Sequence, residues 1–132
     1  MTYKVIINSK NGKFPVKGLN ELLAGRFYNP RTKRYHNPVK EENDRVCRNA
    51  IKKYLKGVKI DKPIQCTYLV YVKDKKHDRG NVYASVEKSF LDALQECKVI
   101  KNDGYDDVFD GIFKSDIDKE NPRIEIIIEV MD

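Results

Sequence analysis

The stretch from His77 to Asp103, HDRGNVYASVEKSFLDALQECKVIKND, concentrates the residues that could do chemistry in this chain. Asp78 and Asn81 stand where an amphipathic pattern begins, Lys88 and Asp92 lie within it, and Asn102-Asp103 close it. Carboxylates are hard oxygen donors of the kind that hold Mg²⁺ or Mn²⁺. A lysine near them adds a flexible positive charge suited to a phosphate. Together they suit a divalent cation and a phosphodiester. Acids at the two ends of one helix meet only if the chain folds back across it, so the elements that carry these residues decide the site.

At about 100° per residue, Asn81, Ser85, Lys88 and Asp92 share one face, opposite a predicted buried stripe of Val82, Val86, Phe90, Ala93, Leu94 and Cys97. Asn81 is the predicted cap of this helix. Taken alone, Lys88 and Asp92 would be only a surface ion pair worth about 0–1 kcal/mol.

The elements around this stretch can be read in order. Thr2 to Ser9 alternates as a strand with Tyr3, Val5 and Ile7 on one face. A short helical turn is expected between Pro15 and Gly25, with Asn20 as its cap. Arg26 to Pro38, bracketed by two Asn-Pro pairs, reads as a loop in which Arg26, Arg31, Lys33 and Arg34 interleave with Phe27, Tyr28 and Tyr35. Cations meet phosphates and aromatic rings stack on exposed bases, so this loop is a candidate DNA contact. Val39 to Leu55 is a predicted helix with Val46, Ala50, Ile51, Tyr54 and Leu55 on its apolar stripe. Ile64 to Val72 is a predicted central strand. Lys73 to Arg79 is a charged connection whose Lys75, Lys76 and Arg79 extend the candidate DNA surface. Val108 to Phe113 reads as a short strand, Asp116 to Asn121 as a loop, and Arg123 to Val130 as the last strand. The loop DIDKEN lacks the glycine and terminal glutamate of a calcium loop. There is no P-loop and no GxGxxG.

These elements predict a single α+β domain spanning residues 1–132, a mixed sheet covered by two long helices. A chain of 132 residues is enough for one real core and too short for two. No apolar run reaches the roughly 18 residues of a membrane span. No leader pattern opens the chain, and Cys47, Cys66 and Cys97 have no metal or disulfide spacing. Reduced, packed thiols in a cytoplasmic protein are therefore expected. Residues 1–60 carry 15 Lys+Arg against 4 Asp+Glu, a formal +11, while residues 61–132 carry 11 against 16, a formal −5; the sum is the net +6. A basic half suits a polyanionic partner.

The pattern resembles the RusA family of Holliday junction resolvases, common in phages and prophages. That family has an Asp-x-Asp-Asn, then a helix with a lysine four positions before the Asp of an Asp-Ala-Leu, then an acidic pair. Here the corresponding residues are Asp78-Arg79-Gly80-Asn81, Lys88, Asp92-Ala93-Leu94 and Asn102-Asp103, with Gly18-Leu19-Asn20-Glu21 similar to a segment near the family's start. The interval from Asn81 to Asp92 exceeds that of the shorter members by about one helical turn, which returns nearly the same face. Gly80 stands where the family has its second Asp, and Asn102 where many members have the first acid of the pair.

The resemblance implies metal-dependent, paired symmetric nicking of four-way DNA junctions by a homodimer in recombination and repair. Asp78, Lys88 and Asp103 would be the catalytic residues. Asp78 and Asp103 would hold Mg²⁺ or Mn²⁺, with Asp92 or, less well placed on the helix, Glu87 as a substitute ligand. Arg26, Arg31, Lys33, Arg34, Lys75, Lys76 and Arg79 would contact branched DNA. Because Gly80 removes a carboxylate, the alternative is a branched-DNA-binding protein that does not cleave.

Overall fold

The computed structural model describes all residues, 1–132. In chain order the elements are β1 (Thr2–Ile7), α1 (Leu19–Ala24), β2 (Phe27–Asn29), β3 (Arg34–His36), α2 (Pro38–Tyr54), β4 (Ile64–Val72), α3 (Arg79–Glu96), β5 (Ile112–Ile117) and β6 (Arg123–Val130). The main sheet has the order β1-β6-β4-β5. β6 is antiparallel to both β1 and β4, while β4 and β5 are parallel and joined through α3. The sheet is therefore mixed, and the fold is α+β.

The alternation that predicts the strands also sorts the two sheet faces, because successive side chains point to opposite sides. Ile64, Cys66, Tyr68, Val70 and Val72 of β4 are buried and its intervening residues are not. The register sets Val5 beside Ile126, Ile7 beside Ile124, Tyr68 beside Ile126 and Val70 beside Ile124, so one face is a continuous apolar surface. Val86, Phe90, Ala93 and Leu94 of α3 and Cys47, Ala50 and Ile51 of α2 join these strands in one core. At its centre the Tyr68 ring stacks on Phe113, with centroids 4.9 Å apart, and meets Phe90 edge-on at 6.1 Å. The two long helices thus cover one face only, and a third, short helix accompanies them.

The opposite face stays half or fully exposed at Lys4, Ile6, Leu69, Tyr71, Ile112, Lys114 and Ile127. Across it runs an ionic chain. Glu125 accepts from Lys4 at 2.8 Å and from Arg123 at 2.8 Å, and Arg123 also reaches Asp118 at 2.7 Å while lying 4.0 Å over the Tyr71 ring. The hydrogen bond from Lys4, ahead of that from Arg123, holds the Glu125 carboxyl below its ordinary value of 4.5. A depressed folded-state value contributes stability above pH 4.5 that is lost as pH falls through the folded value. The stability gap between the parent and Glu125→Gln should therefore narrow as pH falls below 4.5, measured by urea unfolding at a series of pH values.

Several local expectations need correction. Arg26 to Pro38 is not a loop: β2 and β3 form an antiparallel hairpin, Phe27 opposite His36 and Tyr28 opposite Tyr35. Asn20 does not cap α1, because Gly18 holds that position, and the cap of α3 is Asp78 rather than Asn81. The strand expected at Val108 begins at Ile112, leaving Val108 with only an isolated bridge to Ile64, and Asp116 and Ile117 belong to that strand instead of the following loop. α2 buries Asn43, Asp44 and Cys47, while Tyr54 is exposed. Ser85 is fully buried although its helical face looked open. The reason is local: Asn43 donates to Ser85 Oγ at 3.2 Å and pairs with both the N–H and the carbonyl of Lys17, and Ser85 itself donates to that carbonyl. Polar residues form this interface, so hydrophobic periodicity does not register it.

Two of the three thiols lie in the core. Cys47 and Cys66 are buried, and burial pushes each up to about 12. Neither forms a disulfide. No helix is long and apolar enough to cross a membrane.

Candidate nucleic-acid interface and polar cleft

α3 has 18 residues, which at 1.5 Å per residue makes it about 27 Å long. Asp78 caps its first turn, accepting from the Asn81 N–H at 3.1 Å, an arrangement that satisfies one of the helix's free donors. Asp103 lies in the turn beyond its far end. That turn is held to the start of β4: Ile60 donates to the Val99 carbonyl at 2.8 Å and Ile64 to the Asp107 carbonyl at 3.0 Å. The chain returns alongside α3 only from Ile112 on, as β5, so the structure keeps Asp78 and Asp103 of one chain at opposite ends of the helix. Lys88 is about 15 Å along the axis from Asp78, beyond the reach of its side chain.

Asp92 is engaged elsewhere. Its Oδ2 accepts from Lys40 at 3.0 Å and lies 3.9 Å from Lys88. Lys40 also binds Asp44 of its own helix at 2.7 Å, and its bond to Asp92 ties α2 to α3. Burial opposes charge on Lys40, but the hydrogen bonds it donates to Asp44 and Asp92 outweigh it and hold its pKa above the ordinary value. Burial pushes the Asp44 carboxyl up, and its Oδ1 has no partner. Sequence reading missed Lys40 and Asp44; their only signal was a Lys-x-x-x-Asp spacing that also describes many surface pairs.

The residues present do not fit a divalent cation within one chain. No group of three or more His, Cys, Asp or Glu side chains is placed to hold a metal ion in it. Asp78 and Asp103 are too far apart to share an ion, and Asp92 is held by two ammonium groups.

What does converge is at the other end of the β4-α3-β5 unit. A cleft of about 230 Å³ opens where the parallel strands end and α3 begins, lined by Asp74, Lys75, His77, Arg79, Ser115 and Asp116 over an apolar floor that includes Val70 and Val72. Ends of parallel strands beside a helix start are a common location for ligand sites in α/β units. Three of the lining residues lie between the end of β4 and Asp78, and Lys75 and Arg79 were already candidate DNA contacts. Asp116 was not foreseen, because its placement depends on the parallel pairing of Val70 with Ser115 and Tyr71 with Asp116. Lys75, Lys76 and Arg79 are exposed around this cleft.

The first turn of α3 is fixed by a segment far away in sequence. The Asn81 side chain accepts from the Asn20 N–H at 2.7 Å, 61 positions apart. Gly18 makes room for it: a Cβ there would lie 2.2 Å from Asn81 Nδ2. Gly18→Ala should therefore displace Asn81 and cost about 1–3 kcal/mol, as overpacking does, measured by chemical denaturation. Gly80 is the opposite case. A Cβ added there meets only Asp78 Oδ1, at 3.7 Å, so a side chain can start from this position without a clash.

The hairpin carries Arg26, Arg31, Lys33 and Arg34 together. Its base is held by Asn37, whose side chain donates to the Leu22 carbonyl at 2.7 Å and caps α2 by accepting from Lys40 N–H at 3.1 Å. α1 thus links the hairpin to the first turn of α3.

A scan of the sequence against protein-family models matches none, and a search of curated proteins finds no match.

Proposed function

We propose that this chain is a metal-dependent, structure-selective endodeoxyribonuclease of the RusA type, acting on four-way DNA junctions as a homodimer. The observation that carries the reading is the meeting of Gly18 and Asn20 with Asn81. Both segments belong to the resemblance, and their contact sets the start of the helix that bears Asp78 and Lys88. The exposed cations of the hairpin and of the Lys73 to Arg79 connection support a polyanionic partner.

The distance between Asp78 and Asp103 shapes the proposal. In an isologous dimer a two-fold axis perpendicular to a helix turns that helix end for end. Two copies packed along α3 in antiparallel fashion bring Asp78 of one copy to the Asp103 turn of the other. The stripe available for such packing is Gly80, Ala84, Lys88, Leu91 and Gln95, which is exposed or half-exposed. A cation held there would activate water and neutralise charge on the phosphate. The chain's own parts have simpler tasks: Asp78 and Asp103 supply oxygen donors, Lys75, Lys76 and Arg79 hold backbone phosphates, and Lys88 offers a cation near the two-fold axis.

A second reading, junction binding without cleavage, is favoured by the absence of three carboxylates placed to hold a metal ion and by the open space at Gly80. One assay separates the two readings. A labelled four-way junction is incubated with Mg²⁺ or Mn²⁺ and the parent or Gly80→Asp, beside linear duplex. Paired nicks by the parent on the junction alone support the nuclease. Nicks by Gly80→Asp alone support a scaffold with a disabled site. Binding without nicks by either supports the second reading, and neither nicks nor binding overturns both.

A further inference from the structure

We infer that the β2–β3 hairpin is a stacking site for unpaired DNA bases, with Tyr28 and Tyr35 as the platform and the cationic tip as the phosphate holder. The inference rests on the DNA reading above and names the part of the substrate that this hairpin takes.

The hairpin forms a two-stranded sheet of its own, apart from the main sheet. Its aromatic residues do not enter the core: Phe27 is 48% exposed, Tyr28 50% and Tyr35 63%. The aromatics that serve packing in this protein behave differently, since Tyr68 and Phe90 are fully buried. Large rings left in water on a short hairpin need an explanation other than the fold.

The two faces of the ribbon are each organised around rings. Tyr28 lies opposite Tyr35 with centroids 5.3 Å apart, and the Arg26 guanidinium sits 4.2 Å over the Tyr35 ring. On the other face Phe27 stacks on His36 at 5.7 Å. These cross-strand pairs stiffen the ribbon, so the rings are already oriented before a base arrives. The tip is pinned as well: the Asn29 side chain accepts from the Arg31 N–H at 2.9 Å and its carbonyl from the Lys33 N–H at 2.9 Å. That turn projects Arg31, Lys33 and Arg34.

The cations of the hairpin, like those around the α3 start, are free to meet a ligand. Lys10, Lys40, Arg45, Arg48 and Arg123 all spend their charge on carboxylates of the same chain. Arg26, Arg31, Lys33 and Arg34 take part in none of the chain's ion pairs. Unpaired cations at a tip with ring faces along the sides match a flexible strand, whose backbone is held by charge and whose bases stack without regard to sequence. A ribbon reading base edges in a duplex groove would use the Tyr28 and Tyr35 hydroxyls instead of their ring faces.

The test titrates a single-stranded oligo(dT) carrying one 2-aminopurine, and a four-way junction with 2-aminopurine at the branch, against the parent and variants at several salt concentrations. The parent should bind both and quench the base analogue. Tyr28→Ala with Tyr35→Ala should bind about tenfold more weakly and lose the quenching, with the salt slope unchanged. Tyr28→Phe with Tyr35→Phe should match the parent, because the ring face is kept. Arg31→Ala with Lys33→Ala should flatten the single-strand slope of log K on log salt by about 1.4, the value for two lost phosphate contacts. Tyr35→Leu alone, which keeps bulk without a ring face, gives the answer if the double alanine variant is misfolded. An alanine pair that binds and quenches like the parent overturns the stacking site while leaving the DNA reading intact. A parent that binds neither DNA overturns both.

Discussion

Asp103→Asn is expected to abolish junction nicking, by about a hundredfold or more, while junction binding stays within about twofold of the parent. The direction follows from where Asp103 sits. It is exposed in a turn held by backbone bonds of its neighbours to the start of β4, and its own side chain supports nothing in the core. An isosteric amide therefore leaves the fold alone and removes only a negative oxygen donor. Binding is carried by cations elsewhere, on the hairpin and around the α3 start. The check pairs a cleavage assay with a gel-shift titration on the same junction. Equal cutting by the variant would remove Asp103 from the site.

Phe90→Ala is expected to cost about 3–5 kcal/mol, a large part of the stability of a domain this size. Phe90 is fully buried on α3, and its ring and that of Tyr68 meet edge to face at 90°. Tyr68 in turn stacks on Phe113, which stacks on Tyr83. Losing Phe90 opens a cavity beneath the helix and leaves one end of this ring series without a partner. The same series ties α3 to β4 and β5, the unit that builds the cleft, so the variant should also loosen that end. The urea midpoint measures the stability loss. A midpoint within the error of the parent would contradict the packing described.

The strands and long helices were legible because their apolar residues repeat at two clean periods. β4 and β6 alternate, and Val86, Phe90, Ala93 and Leu94 recur at helical spacing. What the sequence hid was set by partners distant along the chain. Ser85 looked exposed until Asn43 and Lys17 covered it, and the hairpin looked like a loop because its strands are only three residues long, bounded by Asn-Pro pairs. Asp78 and Asp103 were recognised as chemistry-bearing residues, yet their separation depends on α3 running unbroken between them and on the turn docking at the start of β4. Asp116 entered the cleft only through the parallel register of β5. Residue type was readable in one dimension, and convergence was not.

The most direct test of the proposed function mixes two disabled chains. Asp78→Asn retains a good helix cap, and Asp103→Asn leaves the turn intact, so both should fold. Each alone is expected to leave a four-way junction uncut in Mg²⁺ or Mn²⁺. Co-expressed, the two form mixed dimers in which one shared site has both carboxylates, and nicking of one strand should return. A mixture as inactive as its components, beside a parent that cuts, would contradict a site shared between two chains.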